Sequence, residues 1–281
     1  MEQQQGLIAI LDALGAASYS REQIDQFLNS RQLVIDELMG KAAILGIEAD
    51  SVTTFTFNDT ILIAYRTLTP ATLTEVKRFG ELLRRFEVRS LANGILFRGA
   101  IAIGSFYRLD TATNTVMGDA VTDAAAWYDR TDWIGITATP RATLLIQSLL
   151  ESSGANLERL FVDYPVPIKN QQPVFLKAVN WPKAFFVHGM TPAGPGEKKR
   201  AKCLSLLVAH GVPKGTESKY FNTMAFFDHC AKLYEEEKKA KKSVEIPSLN
   251  TGAGANASIS RNATSYGLEG PLRSIKHIFL K

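Results

Sequence analysis

The stretch Leu7 to Ser20, LIAILDALGAASYS, decides how the rest of the chain is arranged. Its apolar run reads as a strand buried on both faces, because leucine and β-branched side chains pack a pleated interior well. The run ends in one carboxylate, Asp12, and passes at once into Gly15, Ala16, Ala17 and Ser18. Burying an unpaired carboxylate costs on the order of several kcal/mol, so Asp12 should face a cation or a partner charge. The small residues after it let backbone N–H groups approach an anion before a helix begins, as in phosphate cradles. A metal-phosphate site is the expectation.

The other half of that expectation is VTTFTFNDTILIAYR, residues 52–66. Two β-rich segments, Val52 to Phe57 and Thr60 to Tyr65, flank Asn58–Asp59, a tight-hairpin signal. Asp59 on its own is a common turn residue. A hairpin lying beside the first strand would instead present Asp59 next to Asp12. Two hard oxygen ligands at one place suit Mg²⁺ or Mn²⁺, which would carry substrate phosphates as well.

The intervening and following segments supply helices. Ser20 and Gln23 make a capping box, and Ile24, Phe27, Leu28, Leu33 and Leu38 continue at helical spacing to about Leu45. Thr69-Pro70 opens a second helix whose Leu73, Val76, Phe79, Leu82, Leu83 and Phe86 form one apolar stripe. Ile95 to Phe106 reads as a long strand, answered antiparallel by Asn114 to Met117 across the polar loop Arg108 to Thr113. Gly118-Asp119 starts a third helix through about Thr131. Ile134 to Thr137 is a short strand, Pro140 to Leu150 a fourth helix, and Leu160 to Val162 with Val174 to Val179 complete the sheet. This order is α+β, a ferredoxin-like core with additions. The same core serves RNA-binding modules and polymerase palms, so it does not identify chemistry.

Beyond Trp181-Pro182 the composition changes. Residues 1–182 are expected to form the catalytic domain, and residues 183–281 a helical C-terminal extension. Thr191 to Gly196 reads as a linker or surface loop, followed by helices at about Lys198 to His210 and Tyr220 to Lys241. Asn250 to Ser265 is rich in Gly, Ala, Asn and Ser, which predicts mobility. Ile275 to Leu280 is apolar enough to dock.

With 281 residues, 46% apolar and 21% charged, the chain can bury a sizeable core. Cys203 and Cys230 lack CxxC spacing, so neither a disulfide framework nor a zinc site is indicated. MEQQQG is no secretory signal and no apolar run approaches a membrane span, so a cytoplasmic protein without a membrane partner is expected. A net charge of +4 and a pI near 9.0 raise nucleic acid as a partner. The basic runs, however, are interspersed with acids, as in Glu235 to Lys242, and no basic-aromatic strand motif is present; no nucleic-acid partner is expected.

The order of strand-Asp12, long helix, hairpin-Asp59, Arg98-Gly99-Ala100-Ile101-Ala102-Ile103-Gly104 and then MGDAVTDAAAWYDR resembles the catalytic domain of class III nucleotidyl cyclases over roughly residues 5–180. The resemblance implies two metal ions held by Asp12 and Asp59, with the backbone around Leu14, Gly15, Ala16 and Ala17 on metal and phosphates. It implies ring closure by attack of the ribose 3′-hydroxyl on the α-phosphate, with pyrophosphate released. It implies a homodimer with two composite sites, in which one chain brings Asp12 and Asp59 and its partner the third helix. Val166-Pro167-Ile168-Lys169-Asn170 is similar to the family's triphosphate-binding segment, which makes Lys169 a candidate.

Departures from the family pattern carry information too. Where its third helix has an asparagine for the ribose and, four positions on, an arginine for the pentavalent phosphate, this chain has Thr122 and Ala126. A lost guanidinium removes a bidentate charge-assisted contact, so another base supplies it or the enzyme is slow or inactive. Arg130 and Arg98 are the candidate substitutes, with Asp119 and Asp123 as candidates for ribose or base. At the family's purine-reading positions stand Phe55 and Thr115. An aromatic there offers stacking or steric fill in place of a hydrogen bond and favours a smaller base. In this, and in the stretches Asp163 to Pro167 and Val179 to Pro182, the chain is similar to the bacterial pyrimidine cyclases of Pycsar antiphage systems. That likeness implies UTP or CTP as substrate and a cyclic nucleotide read by a separate effector protein. A degenerate, non-catalytic nucleotide-binding or scaffold domain is the alternative.

Overall fold

The apolar run of residues 7–11 lies at the centre of a mixed sheet in the computed structural model, which describes residues 3–16, 19–67, 71–108, 115–153, 160–187, 192–194 and 196–244. Residues 1–241 form one compact unit. Lys242–Lys281 form a second, of which the first three residues are described and helical. Asn250 to Ser265, Ile275 to Leu280, Thr69-Pro70, Ala17, Asn114 and most of the loop after Arg108 lie outside the described residues.

β1 (Gln3–Ala13) pairs antiparallel with both β3 (Thr60–Thr67) and β4 (Phe97–Arg108), and β2 (Val52–Phe57) pairs with β3 as a hairpin. β4 carries the short β5 (Val116–Met117) and runs parallel to β6 (Gly135–Ala138), beyond which come β8 (Val174–Val179) and β7 (Phe161–Val166). The strand order is β2-β3-β1-β4-β6-β8-β7. Its first four strands, with α1 (Arg21–Ile44) and α2 (Leu73–Ala92) as crossovers, are the expected ferredoxin-like βαββαβ unit, and the fold is α+β.

Both crossover helices begin with a reciprocal capping box, Ser20 with Gln23 and Thr72 with Glu75. α2 buries the stripe read from the sequence: Val76, Phe79, Leu82, Leu83 and Phe86 all lie in one core with Leu7, Ala9, Leu11 and Ala13 of β1. Each such side chain contributes about 1.5–3 kcal/mol by leaving water. The alternate residues Ile8 and Ile10 face a smaller apolar layer with Phe55, Ala64, Ala102, Ala120 and Ala124. Strand alternation therefore places Asp12 on this second face, the one covered by α3 (Asp119–Ala125).

The third helix is shorter than its sequence suggests. It ends at Ala125, and the chain turns through Trp127 to Arg130. Thr131 bridges Ile168 antiparallel, Lys169 N–H donates to the Arg130 carbonyl at 2.9 Å, and Asp132 N–H to the Pro167 carbonyl at 2.9 Å. These long-range bonds replace the helical ones from Arg130 onward, so Arg130 does not share a helix face with Thr122. β7 is also longer than expected, reaching Val166.

Past β8 comes a 3-10 turn, Trp181–Phe185, then α4's counterparts in the C-terminal part, α5 (Lys199–Leu207) and α6 (Glu217–Val244); α4 itself spans Pro140–Ser153. Cys203, Leu207, Met224, Phe226, Phe227 and Cys230 pack with Trp133, Tyr164 and Trp181 in one cluster, so these helices belong to the same compact body as the sheet. Among the described residues no helix is long and apolar enough to cross a membrane.

Candidate active site at the end of the central strands

β1 delivers Asp12 directly opposite Arg98 of β4 on one side and Thr60 of β3 on the other. Arg98 Nε and Nη2 both donate to Asp12 Oδ2, at 3.0 and 2.7 Å, with the two side chains only 14% and 15% exposed. Arg98 Nη1 reaches the Asp129 carbonyl at 3.1 Å. The cation that Asp12 requires is therefore supplied, in this arrangement, by a neighbouring strand.

Asp59 sits at the tip of the β2–β3 hairpin, where Asn58 takes up the left-handed conformation with φ of 50°. Two bonds fix the tip. Ala13 N–H donates to the Asp59 carbonyl at 3.1 Å, and Arg31 of α1 donates to the Asn58 carbonyl at 2.5 Å. The end of β1 and the hairpin tip are thus joined backbone to backbone, and Asp12 and Asp59 converge at one end of the sheet.

The convergence registers on a residue that the sequence reading passed over. The Tyr128 phenol is pushed above its ordinary value by burial first, then by the negative fields of Asp12 and Asp129, with Arg98 opposing and Asp59 adding to the rise. Tyr19 is also raised, by burial and then by Asp59, and its hydroxyl donates to the Leu14 carbonyl at 3.4 Å. Tyr128 and Asp129 lie in the segment read as helix, so only the non-local pairing of residues 130–132 reveals their position. Tyr19 carried a local signal, an aromatic directly after a turn of small residues.

Lys169 joins the group from the far side. Its ammonium is held below the usual lysine value by burial and by Arg98, with Asp129 acting in the opposite direction. The turn after β1 supplies backbone: Leu14 N–H is bonded to the Leu96 carbonyl at 2.8 Å, and Gly15 has φ of +85°, a conformation suited to glycine.

The remaining expected residues have other surroundings. Phe55 is buried under α3 with Ile8 and Ile10, on the face of Asp12. Thr122 is exposed on α3, and Asp123 Oδ2 accepts from Thr139 Oγ1 at 2.7 Å. Asp119 Oδ2 accepts from Ser105 Oγ at 3.2 Å. Thr115 is half-buried just before β5, and Ala16 accepts from Tyr19 N–H at 3.2 Å. Arg130 is exposed, its guanidinium 5.3 Å above the Trp127 ring.

Among the described residues no group of three or more His, Cys, Asp or Glu side chains is gathered. Asp12 and Asp59 alone do not make a protein-only cage. The pair does fit Mg²⁺ or Mn²⁺, which take one or two carboxylates and complete their shells with water and substrate phosphates. Asp12 and Asp59 would hold the ions, and both Arg98 bonds fall on a single Asp12 oxygen.

No protein-family model matches the sequence, and no curated protein matches it. Solved structures are similar to it. The adenylyl cyclase CyaB from P. aeruginosa is 16% identical, covering 64% of this chain and 96% of its own, with a TM-score of 0.38. The guanylyl cyclase domain of the RhoGC fusion protein from the aquatic fungus Blastocladiella emersonii is 15% identical over 63% of this chain and 96% of its own, with a TM-score of 0.42. The adenylate/guanylate cyclase/hydrolase from Silicibacter pomeroyi is 20% identical over 64% and 98%, with a TM-score of 0.38.

Proposed function

We propose that this protein is a divalent-metal-dependent nucleotidyl cyclase that converts a pyrimidine nucleoside triphosphate, UTP or CTP, into its 3′,5′-cyclic monophosphate and pyrophosphate. The observation that carries the reading is the meeting of Asp12 and Asp59 at a backbone-stapled strand end, bordered by the cations Arg98 and Lys169 and the glycine turn at Gly15. Bound Mg²⁺ or Mn²⁺ would supply Lewis-acid polarisation of the attacking 3′-hydroxyl and the phosphates.

The chain's own residues do the rest. Arg98 and Lys169 neutralise the triphosphate, and Arg98 can leave Asp12 for a phosphate because both are anionic partners of similar geometry. The Leu14–Gly15 backbone positions the phosphates. Tyr128, whose phenol is raised by burial and then by the surrounding carboxylates, is a hydrogen-bond donor toward the same space. Phe55 fills the volume in which a larger base would lie. Thr115, Thr122, Asp123 and Arg130 act from the partner chain of a homodimer, Arg130 in place of the guanidinium that Ala126 lacks. The cyclic product would be a second messenger in antiphage defence, read by a separate effector.

A second reading, a degenerate nucleotide-binding domain, is favoured by one observation: Asp12 is already satisfied by Arg98. Incubation with each of the four ribonucleoside triphosphates and Mn²⁺ separates the two. Pyrophosphate release from UTP or CTP alone, with a cyclic product identified by mass, supports the first. Tight binding without turnover supports the second. Asp59→Ala should lower turnover at least a hundredfold while the protein stays folded and dimeric, and wild-type rates in that variant would refute the metal assignment.

A further inference from the structure

A cavity of about 140 Å³ lies behind the turn that follows β1, on the side of the sheet covered by α1 and α2 and so on the opposite face from Asp12. Its floor is aromatic, made by Tyr19, Phe27 and Tyr220. Its rim is polar, with Gln23, Gln26 and Ser30 of α1, Asn93 at the end of α2, and His210 of the α5–α6 loop. That loop is seated on Gly94, where any side chain would collide with the His210 ring.

We propose that this cavity is a second ligand site, for a neutral single-ring heterocycle that presents an amide edge. Three observations select that chemistry. Among the described residues no Lys, Arg, Asp or Glu lines the cavity, so a charged ligand would lose its hydration without a permanent counter-charge. The volume matches that of cavities near 150 Å³ that accept one benzene ring, which limits the ligand to a single ring. Two rim amides are each half used: Gln23 Oε1 accepts from Ser20 N–H at 2.8 Å, and Asn93 Nδ2 donates to the Arg89 carbonyl at 2.8 Å. What is left over is an NH₂ on Gln23 and a carbonyl oxygen on Asn93, a donor and an acceptor that complement the C=O and N–H of a cyclic amide.

The cavity is mechanically joined to the candidate active site. Tyr19 lines it, bonds the Leu14 carbonyl and stands in the field of Asp59. A ring stacked against Tyr19 shifts the turn on which the phosphates would lie, so the site is regulatory; this last step rests on the cyclase reading.

The test is calorimetric titration of the full chain with uracil, orotate and benzene. Uracil should bind, and orotate, the same ring with a carboxylate, should bind at least tenfold more weakly. Asn93→Leu should weaken uracil at least tenfold and leave benzene unchanged. Ser30→Tyr, which fills the mouth from a half-exposed helix position, should abolish both, whereas Asp59→Ala should alter neither. Absence of uracil binding, or binding that survives Ser30→Tyr, overturns the site. In the active protein, saturating uracil should change pyrophosphate release at least threefold, and not in Ser30→Tyr; an unchanged rate overturns the regulatory role. Should no triphosphate be turned over, the cyclase reading fails and the titrations still decide the cavity.

Discussion

Arg98 and Asp12 show how one pair of residues can serve two states. The guanidinium compensates a carboxylate that is mostly buried, yet through Oδ2 it also competes for the charge that a divalent ion would use. Arg98→Ala should therefore have opposite effects on two measurements. Removing the cation leaves Asp12 poorly solvated and lowers stability in urea by about 1–3 kcal/mol. It also removes a competitor, so Mn²⁺ should bind more tightly in titration while turnover falls more than tenfold. Weaker Mn²⁺ binding in this variant would refute the competition. Glu87 of α2 offers a residue-scale test of pH. It is buried, its Oε2 has no hydrogen-bond partner among the described residues, and burial pushes its carboxyl well above the ordinary value. A raised folded pKa means that the folded state holds a proton which the unfolded state releases above about pH 4.3. Glu87 therefore contributes stability at low pH and loses it as pH rises, by up to about 1.4 kcal/mol per unit until the folded carboxyl ionises. Glu87→Gln should remove that slope, visible as urea midpoints that gain on the wild type between pH 5 and pH 8; equal gains at both would refute it.

Elements were legible in the sequence wherever their cause was local. The capping box of α1, the stripe of α2 and the Asn58–Asp59 turn each follow from residues within a few positions of one another, and each forms as read. The end of α3 did not follow, because what stops the helix is pairing of residues 130–132 with residues 167–169, contacts between segments far apart in the chain. For the same reason Asp12 and Asp59 could be matched on pattern, but the ion pair to Arg98 and the place of Tyr128 could not. The start of α3 has its own test. Gly118 precedes the helix at φ of 132°, and a Cβ there would lie 2.7 Å from Phe106 Cα and 2.9 Å from the Ser105 carbonyl oxygen, both backbone. Gly118→Ala should cost about 2 kcal/mol or more through strain at a fixed backbone and should loosen α3 from β4. An unchanged urea midpoint would show that the backbone yields freely at this point.

At the scale of the whole molecule, one chain gathers only part of what the proposed cyclisation demands. Asp12, Asp59, Arg98 and Lys169 meet at the strand ends, whereas Thr122 and Arg130 are exposed. Phe57, beside Asp59 at the hairpin tip and level with Asp12 across β3, is 75% exposed, an apolar side chain left in water at the same end of the sheet. A twofold pair would cover it and bring each chain's Arg130 to the other's carboxylates, since an isologous interface repeats every contact. Complementation tests this directly. Asp59→Ala and Arg130→Ala should each be inactive alone. Mixed in equal amounts and allowed to exchange subunits, half of the dimers are hybrids, and each hybrid has one site with both defects and one with neither. Turnover should then recover to about a quarter of the wild-type value. No recovery, with hybrid dimers confirmed by native mass measurement, would mean that Arg130 serves the carboxylates of its own chain or none at all, and the composite site would have to be abandoned.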